Sequence, residues 1–154
     1  MTTSNLQMQF GQVMAFRSYQ LTNADCTAAA TTQTITLDTF NQGSVILYAR
    51  IKHSVAFAGT AITAVTLSLG KSGGSTTFFL SAFNVFQTPA DGTLEEAVIT
   101  TGMGQLSACK LTATFTSVGG NLSAMTAGTV NIDVLVVPVS TPTYVGAYTS
   151  GQVL

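Results

Sequence analysis

At 154 residues the chain is the size of one ordinary domain and can bury roughly two thirds of the surface it exposes unfolded. Charged residues make up 7% of it, against about 25% in an average soluble domain, while the apolar fraction is an ordinary 46%; Thr, Ser, Ala and Gly fill the difference. A net charge of -1, from five bases and six acids, excludes a basic stripe able to neutralise a phosphate backbone and so excludes nucleic acid as a partner, and the hydrophobicity excludes disorder.

The opening MTTSNLQMQF has no positive n-region and no apolar h-region, so no secretory signal is expected. Residues 1–30 scatter Met8, Phe10, Val13, Met14, Phe16 and Tyr19 among polar residues with no clean period. They read as an extended N-terminal arm, the alternative being a first strand and loop inside the domain. From Thr34 to Asp38, Ile35 and Leu37 alternate with Thr34, Thr36 and Asp38, a strand pattern.

The clearest period of two runs from Ser44 to Ala58. It puts Val45, Leu47, Ala49, Ile51, Val55 and Phe57 on one face and Tyr48, Arg50, Lys52 and Ser54 on the other. That length exceeds a usual strand and implies a bend or bulge within it. Ala64–Leu69 follows, with Val65, Leu67 and Leu69 inward, and is expected to pair with the preceding strand; across the apolar stretch Ser54–Gly70, Thr60, Thr63, Thr66 and Ser68 together with Gly59 and Gly70 exclude a membrane span. After the Gly70–Thr77 loop, Phe79, Phe83 and Phe86 fit helical spacing, and a short helix is expected over 78–86, although strand spacing also fits. Glu95–Thr101 reads as a strand after the Pro89–Gly92 turn. Gln105–Ser117 alternates Leu111, Ala113 and Phe115 with Lys110, Thr112, Thr114 and Thr116. The last long strand, Thr129–Val139, opposes Val130, Ile132, Val134 and Val136 to Asn131, Asp133, Leu135 and Val137. Its second half is apolar on both faces, which implies burial against a second sheet or another subunit. Six or seven strands with almost no helix and no internal repeat predict an all-β fold, a jelly-roll-like β-sandwich over 31–139, with extended terminal arms at 1–30 and 140–154.

Two segments, ILYARIKHSVAFAGTAITAVTLSLG (46–70) and TFTSVGGNLSAMTAGTVNIDVLVV (114–137), together resemble auxiliary virion proteins of tailed bacteriophages. The first has a long apolar and basic strand leading into a Phe-Ala-Gly turn and a Thr/Ser-alternating strand. In the second, Asn121, Leu122, Ala124, Thr126, Ala127 and Gly128 match the turn before the final strand. The resemblance covers roughly Thr31 to Val137. It implies a jelly-roll-like domain that trimerises and decorates or cements a capsid lattice, or sits at the neck or tail.

Nothing in the chain spells out a catalyst. His53, the one histidine, falls on the apolar face of its strand, where a core or subunit-contact role is expected. Glu95 and Glu96 are adjacent and so face opposite sides of a strand, while Asp25, Asp38, Asp91 and Asp133 are read as isolated. The Gly70-Lys71-Ser72 loop lacks the first glycine of a phosphate loop. Cys26 and Cys109 have no metal-ligand spacing and are expected to be free thiols. No enzyme activity, cofactor or metal is therefore expected. The expected function is capsid decoration or cementing on the capsid surface, with copies of itself as a homotrimer and the major capsid protein as partners. Phe10, Phe16, Tyr144 and Tyr148 are the aromatic anchors, taken as lying outside the regular strands. The rival readings are a neck, tail or fibre protein with host-glycan contact and, behind it, a free carbohydrate-binding module, for which the chain lacks Trp.

Overall fold

The computed structural model describes residues 15–40, 44–86, 95–98 and 109–137. These hold eight strands: β1 (Ala15–Thr22), β2 (Thr32–Phe40), β3 (Val45–Gly59), β4 (Ala64–Lys71), β5 (Leu80–Asn84), β6 (Glu95–Val98), β7 (Cys109–Val118) and β8 (Met125–Val137). Two short 3₁₀ turns, Asn23–Asp25 and Leu122–Ala124, are the only helical pieces among the described residues. The strands form two antiparallel four-stranded sheets, ordered β1-β8-β3-β6 and β2-β7-β4-β5. First pairs with last, second with second last, and so inward to β4 and β5. This is one long hairpin wound into two layers, the jelly roll, and the all-β sandwich expected from the alternation is what the chain forms.

The core lies between the sheets because period two sends one face of every long strand inward. Val130, Ile132, Val134 and Val136 of β8 are no more than 1% exposed, opposite Leu111, Ala113 and Phe115 of β7 and Val65, Leu67 and Leu69 of β4, all at 0%. Burying each larger side chain of this set stabilises the fold by about 1.5–3 kcal/mol. At the centre Phe57 stands against Phe115, ring centroids 5.2 Å apart and tilted by 47°. Gly128 of β8 lies flat under the Phe57 ring, and a Cβ there would come within 2.3 Å of it.

Several expectations need correction. Residues 1–30 are not an arm over their second half: Ala15–Thr22 is paired along its whole length with β8, as the first-strand alternative has it. The segment 78–86 is not a helix but contains β5, which pairs with β4 through Leu67–Phe83 and Leu69–Leu80. Phe79 and Val85 bury beside it, so the strand spacing of the phenylalanines wins over the helical one. β3 and β4 are consecutive yet do not pair, because the link between them changes sheets. Thr60 N–H donates to the Ala124 carbonyl beside β8, Ala61 takes a left-handed φ of 60°, and Thr63 N–H donates to Val118 of β7.

Within β3 the inward set is Ile46, Ala49, Ile51, His53 and Phe57 rather than an unbroken odd-numbered series. Irregularities at 46/48 and 53/55 shift the phase, turning Leu47 and Val55 out to 39% and 48% exposure. The bulge that length demanded is present, and Val45, Leu47 and Val55, which the simple alternation puts inside, stand on the outer face.

Candidate assembly surface

The described charges are largely consumed within the fold. On the outer face of the β1-β8-β3-β6 sheet, Arg50 Nε donates to Asp133 Oδ2 at 2.8 Å, and Ser18 Oγ donates to Asp133 Oδ1 at 2.5 Å. Lys52 stands in register with Glu96 of β6, and Lys71 Nζ sits 4.2 Å above the Phe78 ring. Asp25 accepts from the N–H and hydroxyl of Thr22.

A second cluster closes the open side of the sandwich, where β1 and β2 are the facing edges. The irregularity between Thr36 and Asp38 turns Asp38, expected on the polar face, toward the gap between sheets. There it accepts hydrogen bonds from Tyr19 Oη at 2.6 Å and from the Arg17 guanidinium, which lies 5.1 Å over the Phe40 ring. Asp38 and Asp133 are thus not isolated, as their sequence contexts suggest. Burial alone would raise the Asp38 carboxyl, but hydrogen bonds from Tyr19, Arg17 and the Thr39 N–H outweigh it and hold it below the usual range. Asp133 is likewise held down by Ser18 and Arg50 against its own desolvation. Tyr19 is raised, first by burial and then by Asp38.

Because both carboxyls titrate lower folded than unfolded, their stabilisation is complete above the unfolded value of about 3.8 and is lost as pH falls through the folded values. Arg17 is 40% exposed, so solvent screens the pair and the effect is modest. Thermal melts at pH 7, 4 and 2.5 should show Asp38→Asn below the wild type at pH 7, with the gap narrowing as pH falls below about 3.8. A gap that stays constant down to pH 2.5 contradicts the assignment.

Apart from exposed charges such as Lys110 and Asp25, the outer faces of the two sheets are largely neutral. On the outer face of the β2-β7-β4-β5 sheet, hydroxyls line up in rows across three strands: Thr32–Thr116–Thr66, Thr34–Thr114–Ser68, and Thr36–Thr112 ending at Gly70. The alternation expected for this face holds, but its middle is not wet. Ser68, Thr112 and Thr114 are 4–7% exposed, tied by a 3.0 Å Thr34–Thr114 hydroxyl contact, while Thr32, Thr34, Thr36 and Thr116 remain exposed. Uncharged hydroxyls with partners accept such burial at little cost.

The outer face of the other sheet carries an apolar cluster at one end. Phe16, Leu135 and Tyr48 stand side by side across β1, β8 and β3, and Val137 pairs with Val45 next to them. Phe16 is 71% exposed and the bulged-out Leu47 39%, whereas Leu135, Tyr48, Val45 and Val137 are half-buried. The two-faced apolar run at the end of β8 points to this surface in the sequence; Leu47 escapes notice because only the bulge exposes it. Ala15, across from Val136, and Val137 both lie beside this cluster, so the described parts of β1 and β8 begin and end at the same end of one sheet. Contiguous exposed apolar side chains of this kind mark protein contacts.

Of the four expected anchors, Phe16 lies on a regular strand rather than outside one. Phe10, Tyr144 and Tyr148 lie outside the described residues. His53 is fully buried in the core, in register with Val130 and Glu95. Cys26 is a buried thiol, pushed up to about 11 by burial and then by Asp25; the Cys109 side chain lies outside the described set. Among the described residues no group of three His, Cys, Asp or Glu side chains is placed to hold a metal, and no helix is long and apolar enough to cross a membrane.

No protein-family model matches the chain, and no curated protein does. Solved phage capsid structures contain chains similar to this one. One is the capsid asymmetric unit of cyanophage Pam1, with 20% identity, a TM-score of 0.59, and 84% of this chain and 88% of that one covered. Another is the capsid of Ralstonia phage GP4, with 17% identity, a TM-score of 0.54, and 84% and 86% covered. The jelly roll built by this chain is therefore a fold that phage capsids contain.

Proposed function

We propose that the protein is a non-enzymatic structural component of a phage virion, and within it a decoration or cement protein of the capsid surface that trimerises and binds the major capsid protein lattice to stabilise the head. The observation that carries this reading is the apolar cluster of Phe16, Leu47, Tyr48 and Leu135 on a chain that pairs Arg17 with Asp38 and Arg50 with Asp133 within its own fold. Such a surface can be covered without desolvating unpaired ions, the largest penalty in forming a contact. The similarity to chains of two phage capsids, along most of both lengths, supports the virion setting.

In this reading residues 1–14 and 140–154 are the arms, carrying Phe10, Tyr144 and Tyr148 away from the end of the sheet where Phe16 already stands. Deletion of residues 1–14, or of 140–154, is expected to release the protein from particles and leave the sandwich folded. The N-terminal cut stops at 14 because β1 is an integral strand. Retention of both truncated forms on particles refutes the role of the arms. Sedimentation of the free chain at micromolar concentration is expected to show a trimer. Quantifying copies per particle tests the location: a lattice protein numbers on the order of hundreds, whereas roughly three to a dozen copies would move it to the neck, tail or a fibre.

A further inference from the structure

Two open four-stranded sheets have four edge strands, and folded proteins blunt such edges with bulges, charge, proline or brevity to avoid pairing with other chains. Three of the four are blunted here. β2 is broken by the irregularity at Asp38, which also places a carboxylate in the strand. β5 has five residues and an irregular pairing with β4, and β6 carries two adjacent glutamates.

β1 is different. It is eight residues long and in unbroken register with β8 from Ala15–Val136 to Thr22–Thr129, with no glycine, proline or bulge. Its one charge, Arg17, is held by Asp38 at the gap between the sheets. The side chains along its outer face, Phe16, Ser18, Gln20 and Thr22, are neutral, and the first three are exposed. Among the described residues no such feature protects this edge.

We propose that β1 pairs antiparallel with β1 of a second copy about a two-fold axis, joining two four-stranded sheets into one continuous sheet. The two registers nearest full overlap of the eight residues keep like faces together. In one, Ser18 faces its counterpart, Phe16 faces Gln20, and Arg17 faces Tyr19. In the other, Tyr19 faces its counterpart, Ser18 faces Gln20, Phe16 faces Thr22, and Arg17 faces Leu21. Neither sets like charges opposite each other, and both set the aliphatic part of a polar side chain beside the Phe16 ring while leaving its outward face open. A strand of fixed sequence is thus complementary to itself, which is what an isologous contact requires. The contact goes beyond the three-fold association proposed above: a chain possessing both links trimer to trimer.

Cysteine trapping with the purified full chain tests it. Ser18→Cys and the double variant S18C/Q20C place thiols within reach in the first and second registers respectively, at exposed positions that leave the core untouched. Under mild oxidation at least one is expected to give a covalent dimer, at least about ten-fold above that from Thr34→Cys on the blunted β2 edge, since disulfides form only between closely placed Cβ atoms. Absence of a dimer from both variants overturns the proposal, as does an equal yield from T34C. Capture of the introduced thiol by a coat chain on particles, with no dimer of the free protein, likewise overturns it. The trimer is read separately from sedimentation of the wild-type chain, so either contact can fail without the other.

Discussion

Replacing Gly128 with alanine is expected to cost about 3 kcal/mol or more, lowering the melting temperature by at least roughly 6–12 °C in a domain of this size. Two effects add. At φ +143° the backbone occupies a region that side-chain-bearing residues rarely adopt, and the new methyl would lie 2.3–2.7 Å from three atoms of the Phe57 ring. The ring cannot retreat: it is fully buried and backed by Phe115. Gly73→Ala separates the two effects, because Gly73 also has a positive φ, of 70°, but a methyl added there would meet nothing within 4 Å. That variant should lose only about 1 kcal/mol. Thermal or urea unfolding reads both. If the two alanine variants unfold at the same point, the contact between Gly128 and Phe57 is not what holds this part of the core.

The second large effect concerns attachment rather than folding. Changing Phe16 and Leu135 together to threonine preserves strand propensity while removing the apolar bulk from the centre of the proposed contact. If the two side chains behave as interface anchors, each contributes about 2 kcal/mol, and the pair should weaken binding to particles by roughly three orders of magnitude. Phe16 is so exposed that its loss should shift stability by no more than about 0.5 kcal/mol, and a circular dichroism melt of the free variant separates a binding defect from an unfolded protein. A folded double variant that decorates particles as the wild type does would show that another surface makes the contact.

Most of the fold is legible in the alternation of apolar and polar residues, because a strand buried on one face writes its geometry directly into the chain. β4, β7 and β8 are read with the right inward residues for that reason. The failures have physical sources. Bulges in β3 shift the period by one, so Leu47 and Val55 look buried and are not. Phe79, Phe83 and Phe86 satisfy helical spacing while Phe79, Ser81, Phe83 and Val85 satisfy strand spacing, and only pairing with β4 decides between them. Strand order is invisible locally, since the link after Gly59 has no residue that announces a change of sheet. At the surface, Leu135 and Val137 are marked by their two-faced apolar context. The Arg17–Tyr19–Asp38 cluster is not, because it exists only where a bulged β2 meets β1 across the gap.

The nesting of first strand with last also has a temporal side. β8 lies between β1 and β3, so one of the two sheets lacks its middle member until the ribosome has added residues 125–137. Ser18 and Asp133, which touch in the finished molecule, are 115 positions apart, and closing so wide a separation delays folding toward the slow, millisecond-to-second range of β-rich domains. During translation β1 waits as a bare ribbon, available to neighbours on the same polysome. A message truncated before codon 125 would yield a chain with no means of sheltering it, and hence one prone to clump rather than to accumulate as a half-built soluble fragment.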